Sequence, residues 1–191
     1  PSQLFLGRQL GVGAASHLAQ FALSRRPYLG RTTLPPAFAM LMANQARVIE
    51  GSLVLDPFCG TGSTLLSCAA RGARTVGVEI DERVLNGGDG GRGILINFET
   101  AGLPVPERLV LGDASRLDTP DVLPPLDAAT GQPTPHATFD AIVTDPPYGL
   151  MEGLGTYYMP LHERLGALLR LAARRLRVGG RLVFLLPLPA S

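Results

Sequence analysis

The chain has 191 residues, of which 46% are hydrophobic and 17% charged, and its 17 basic and 16 acidic side chains leave a formal net charge of +1. That length suits one domain with a full core, and the composition excludes an intrinsically disordered chain. Every apolar run is interrupted by Gly, Arg or Pro before it reaches the length of a membrane span, and the even charge does not announce a nucleic-acid partner.

All the basic residues are Arg, and scattered among acids they read mostly as solvated surface. Cys59 and Cys68 give neither a metal-ligand spacing nor a disulfide framework, so free thiols in a reducing, cytoplasmic setting are expected. Residues 1–33 read as a lead-in. Arg25, Arg26 and Arg31 flank Pro27-Tyr28-Leu29-Gly30 there, either as a solvated linker or as a phosphate-contacting edge. Thr32-Thr33 before Pro35-Pro36 marks a helix start with Pro in the first turn, and Phe38, Leu41, Met42 and Gln45 continue at helical spacing to about Val48.

Ser52–Leu55 reads as a buried strand, and Asp56-Pro57-Phe58-Cys59-Gly60-Thr61-Gly62 follows, opening a helix from Ser63 to Ala70. Glycines in such a turn let a ligand approach the backbone, and the helix start offers free N–H groups. The turn lacks the Gly-Lys-Ser/Thr ending of a phosphate loop and is not a Gly-x-Gly-x-x-Gly dinucleotide turn. Arg74–Val78 predicts a second strand with Glu79 at its tip, where an acid can accept hydrogen bonds from a ribose diol; Asp81 reads as part of a helix N-cap. Asn86–Gly93 contains five glycines and predicts a loop. A helix is expected over residues 94–101 and a strand over 108–111, with Asp113 placed either to accept from an adenine amine or simply as a turn acid. Residues 118–138 hold five prolines and predict a surface loop.

Ala141–Val143 is a short unbroken apolar run, the signature of a strand buried on both faces of a parallel sheet. Asp145-Pro146-Pro147-Tyr148 follows at once, and the prolines end the strand because they bring no N–H to a ladder. The acid, the rigid turn and the ring thus leave the sheet at its carboxyl edge, where open α/β sheets bind ligands. An exocyclic base amine is a poor nucleophile. The Asp145 carboxylate and the Pro146 carbonyl can accept its two hydrogens, hold it in line with an electrophile and favour the charge it gains. Tyr148 offers a face for a stacked base. A helix is predicted over Leu161–Leu176, a stop at Val178–Gly180 and a last core strand over Arg181–Leu186. Alternating strands and helices predict a mostly parallel, doubly wound α/β sheet.

Asp56–Gly62, Glu79, Asp113 and Asp145–Tyr148 together resemble the amino-group branch of the S-adenosylmethionine-dependent methyltransferases, whose fold is Rossmann-like. Within that branch, Arg26-Pro-Tyr-Leu-Gly30, Thr32-Thr33, Met42-Ala-Asn-Gln45 and Phe139–Gly149 resemble the tRNA guanine-N2 methyltransferases acting at position 10, of the eukaryotic catalytic-subunit type. The resemblance implies methylation of a guanine N2 amine in tRNA. It implies Asp145, Pro146, Pro147 and Tyr148 as the catalytic set, and cofactor contacts from Asp56, Pro57, Phe58, Gly60, Thr61, Gly62, Glu79, Ile80, Asp113 and Ala114. It also implies a THUMP-type RNA-binding region ahead of the lead-in, a small zinc-binding activator subunit as partner, and a catalytic domain over 34–191 whose last helix and strand are missing. N6-adenine methylation of DNA or RNA shares the Asp-Pro-Pro-Tyr turn, and a non-catalytic cofactor-binding module is the reading from a different class.

Overall fold

The computed structural model describes residues 7–8, 19–30, 33–87, 91, 93–114, 138–147 and 161–186. Five strands form one sheet: β1 (Leu53–Asp56), β2 (Arg74–Glu79), β3 (Arg108–Leu111), β4 (Phe139–Thr144) and β5 (Leu176–Phe184). Their order is β3-β2-β1-β4-β5 and every pairing is parallel. The order reverses between β1 and β4, which opens the crevice that doubly wound sheets use for ligands.

The two faces of the sheet explain why these strands are apolar throughout. Leu53, Leu55 and Ile142 enter one core with Leu168, Leu171 and Ala172 of helix α5 (Leu161–Arg175). Val54, Ala141 and Val143 point the other way, against Met42, Ala43 and Cys68. Those belong to α1 (Pro36–Gln45) and α2 (Ser63–Ala69). A third cluster joins Leu65, Leu66 and Ala69 to Ile94 and to Phe98 of α4 (Leu95–Ala101). Gly77 lets α2 sit this close to β2, since a Cβ there would lie 2.7 Å from Leu65 Cδ1 and 2.9 Å from Cys59 Sγ.

The structure departs from the sequence expectation in three places and bears it out at a fourth. α1 stops at Gln45, not Val48, because Arg47 turns into the left-handed region at φ 53°. The expected N-cap at Asp81 is borne out: its carboxylate accepts from Arg83 N at the start of a short helix, α3 (Glu82–Asn86), which Gly87 closes at φ 80°. The last strand begins at Leu176 instead of Arg181. Phe139 pairs with Leu176 but Ala141 with Arg181, so residues 177–180 bulge outward, pinned by Arg177 Nε donating to Asp140 Oδ1 at 2.5 Å. Lastly, the described part of the lead-in is docked onto the domain. Phe21 and Arg26 are buried, and Asn97 of α4 holds Tyr28 through both backbone groups, at 3.1 and 2.8 Å. No helix among the described residues is long and apolar enough to cross a membrane.

Candidate active site

The site grows out of the turn after β1. The Asp56 carboxylate is 1% exposed. It accepts from the Thr64 hydroxyl of α2, from the Thr144 hydroxyl at 2.6 Å and from Phe58 N at 3.0 Å. Burial pushes its pKa up to about 6, against the pull of those three hydrogen bonds. Asp56, which the resemblance implied as a cofactor contact, has both oxygens engaged inside the protein. It ties the glycine turn and the start of α2 to the last residue of β4.

Pro57 is buried and Phe58 packs partly against the main core. Gly60 has φ 50°, with nothing within 4 Å of where a Cβ would be, so this backbone borders open space. Gly62 has φ 85° and starts α2; a Cβ there would lie 2.7 Å from Ile94 Cδ1. Thr61 is buried, its hydroxyl 3.0 Å from that of Thr33 and its carbonyl accepting from Asn97 Nδ2 at 3.1 Å. Thr33, Thr64, Asn97 and Thr144 are therefore parts of the site that sequence reasoning missed: Thr64 bonds Asp56 only 8 positions back, while the others act through partners 28, 36 and 88 positions away. Thr33 stood in a helix-start pattern, and Thr33 and Thr144 both lay in segments that carry the family resemblance, but neither was assigned a role in the site.

Glu79 ends β2. Its Oε2 accepts from Gly60 N at 3.0 Å and its Oε1 from Asp81 N at 2.9 Å. Its pKa is raised by burial, with those hydrogen bonds opposing. Each carboxylate oxygen has a second lone pair for a hydroxyl. Ile80 beside it is 52% exposed and offers an apolar patch at the rim. Asp113 is partly buried just beyond β3, while Ala114 contributes its side chain to the core. Gly112 N donates to the Glu79 carbonyl at 2.9 Å, which holds the tips of β2 and β3 together.

On the other side of β1, Asp145 follows the fully buried Thr144. It is half-buried, and desolvation raises its pKa. Pro146 is buried, and the Pro147 carbonyl accepts from Arg164 Nη1, so α5 fixes the turn. Arg164 is a second contribution that the sequence did not disclose. Tyr148 lies outside the described residues. The strand tips thus bring the Gly60 turn, Glu79, Asp113 and Asp145 to one edge, and the Asp56–Thr144 hydrogen bond joins the two motifs.

A parallel sheet of this order, with a glycine turn after its first strand and an acid at the tip of its second, defines a Rossmann-like fold. The chain belongs to the UPF0020 family, described as RMKL-like, methyltransferase domain, which matches residues 24–188. Family and fold are those of S-adenosylmethionine-dependent methyltransferases. Among curated relatives, the tRNA (guanine(10)-N(2))-methyltransferase TRMT11 of Dictyostelium discoideum is 32% identical over 98% of this chain and 39% of its own length. The human TRMT11 of the same description is 29% identical over 98% of this chain and 45% of its own. The chain therefore spans less than half the length of these relatives. Among solved structures, TrmN from Thermus thermophilus matches with a TM-score of 0.55 and 26% identity, over 89% of this chain and 41% of that one. Precorrin-6y C5,15-methyltransferase from Geobacter metallireducens, at 15% identity and a TM-score of 0.54 over 85% of this chain and 68% of that one, shares the fold.

The residues present fit the cofactor. The open space at Gly60 admits a ligand against the backbone, and Glu79 keeps acceptor capacity at the place a ribose diol would reach.

Proposed function

We propose that this chain is the catalytic domain of an enzyme that methylates the exocyclic N2 amine of a guanine in tRNA, of the position 10 type. The observation that carries the reading is the half-buried Asp145 carboxylate at the tip of β4. It is followed by a Pro-Pro turn that Arg164 pins, and it is linked through Thr144 and Asp56 to the glycine turn. S-adenosylmethionine supplies a methyl group already activated on a sulfonium. The protein's task is then to hold the amine in line and to accept its hydrogens. Asp145 and the Pro146 carbonyl do this, and Tyr148 stacks the base swung out of its stem. None of the described residues donates a hydrogen bond to the Asp145 carboxylate, which suits an acceptor reserved for substrate.

In this reading Glu79 takes the ribose hydroxyls, Ile80, Asp113 and Ala114 border the adenine, and Gly60–Gly62 border the methionine part. The enzyme works in the cytoplasm with a THUMP-type RNA-binding region and a zinc-binding activator subunit. Those parts supply most of the RNA affinity, since a net charge of +1 neutralises few phosphates.

The test supplies the full-length protein, with its activator, with unmodified tRNA and methyl-labelled cofactor, and then digests the RNA to nucleosides. Label in N2-methylguanosine is expected. Label in N6-methyladenosine would move the protein to the adenine class that shares the Asp-Pro-Pro-Tyr turn. Cofactor binding without label in any nucleic acid would leave a non-catalytic module.

A further inference from the structure

Away from the crevice, the docked lead-in leaves a cavity of about 380 Å³ against α2 and α4. Gln20, Arg25, Arg26, Asn97 and Thr100 are among the residues that line it, and no Asp or Glu is among the described ones that do. Arg26 is 8% exposed. Its Nη1 donates to Ser63 Oγ at 2.6 Å, but its buried Nε and Nη2 have no hydrogen-bond partner.

Those two nitrogens form the edge of a guanidinium that presents two parallel N–H groups, the geometry that matches a carboxylate or a phosphate. The same molecule shows the edge in use: Arg74 Nε and Nη2 hold the two carboxylate oxygens of Glu107 at 2.5 and 3.0 Å. Arg26 has the same fork, more deeply buried, with no acid on it. A buried cation with orphaned donors is costly, and one missing anion removes both faults at once.

We propose that the Arg26 cavity is an oxyanion-binding site, in which a phosphate or carboxylate group docks on the Nε–Nη2 edge with Arg25 contributing charge from the rim. Both donors are covered in the arrangement seen. An anion therefore reaches them only with movement of side chains that line the cavity. Ser63 is the first residue of α2, directly after the glycine turn, so the site lies behind the cofactor turn. Two sources carry the required chemistry, a backbone phosphate of RNA and the carboxylate of the cofactor; the RNA source rests on the proposed function.

The test begins with inorganic phosphate. Thermal unfolding of the full chain is followed as phosphate replaces chloride at constant ionic strength. A phosphate-specific rise in Tm is expected. Arg26→Gln is expected to lose it entirely, and Arg26→Lys most of it, since an ammonium keeps the charge without the two parallel donors. Two further arms identify the source. If RNA is the occupant, the slope of log affinity against log salt falls by about one in Arg26→Gln, with affinity for S-adenosylhomocysteine unchanged. If the cofactor carboxylate is the occupant, S-adenosylhomocysteine binds roughly tenfold or more weakly, the fold-change of one lost charged contact, with the salt slope unchanged. The phosphate and S-adenosylhomocysteine arms use no turnover, so they stand even if the RNA target proves to be another. No phosphate-specific shift in the wild type overturns the proposal, as does a full shift in Arg26→Lys or in a folded Arg26→Gln. A folded Arg26→Gln that keeps both the salt slope and the S-adenosylhomocysteine affinity also overturns it, whatever phosphate does, and the site then takes an adventitious ion only. Should Arg26→Gln not fold, RNA affinity at fixed salt and S-adenosylhomocysteine affinity read on Arg26→Lys decide, and a variant that keeps both at the wild-type value counts against the site.

Discussion

Asp145→Ala is expected to lower the rate of methyl transfer by about 10²–10³ while leaving cofactor affinity as it was. That magnitude belongs to an acceptor aimed at charge which develops only in the transition state. The ground-state amine carries little positive charge, so its binding gains little from the carboxylate; the attacking nitrogen carries more, and the half-buried setting of Asp145 strengthens the contact. The same burial raises the pKa of Asp145. The contact needs the ionised acid, so the acidic limb of the rate profile should lie above the usual range of an aspartate and should vanish in the variant. Single-turnover rates with calorimetric titration of S-adenosylhomocysteine separate the two effects. A variant that turns over at the wild-type rate would sink the proposed role, and one that loses cofactor binding to the same degree as rate would make Asp145 a support of the turn.

The second large effect is expected at a residue whose carboxylate is engaged inside the protein. Asp56→Ala removes the acceptor shared by Thr64, Thr144 and Phe58 N. Orphaned buried groups cost about 1–3 kcal/mol each, so a loss of several kcal/mol is expected. Its pH dependence has a definite sign. The folded pKa is raised from 3.8 to about 6, so between these values the folded protein holds a proton that the unfolded chain releases. This group's contribution to stability is therefore greatest below about pH 4. It falls by about 3 kcal/mol as pH rises to about 6 and is level above that. The stability gap between wild type and Asp56→Ala should accordingly be wider at pH 4 than at pH 6.5, measured by urea unfolding. A gap that widens with rising pH would show the ionised carboxylate to be the stabilised form, and the assignment of burial as the dominant cause would fail.

The parts of the fold written in the sequence are those set by local pattern. Apolar runs gave β1 and β4, a glycine turn gave the start of α2, and two prolines marked the end of β4. The place of Glu79 at the tip of β2 was legible because the apolar run before it ends there. What stayed hidden depends on partners far away in the chain. Nothing near Asp56 says that Thr144 will take its carboxylate inward, 88 positions on, or that Arg164 will hold the Pro147 carbonyl. The docking of Arg26 on Ser63 spans 37 positions, and its setting among arginines allowed a solvated linker equally well. The start of β5 was missed because Gly179 and Gly180 read as a helix stop, whereas they sit in a bulge that follows Leu176, which already pairs with Phe139 of β4.

The central claim is that the acceptor atom is an exocyclic amine on guanine, and one substitution in the substrate isolates it. A tRNA carrying inosine in place of guanosine at position 10 lacks only the N2 amine. With the full-length protein and labelled cofactor, the guanosine form is expected to take up label and the inosine form to take up none, although both bind with the same affinity. Equal label in the two tRNAs would place the methyl on another atom and contradict the account.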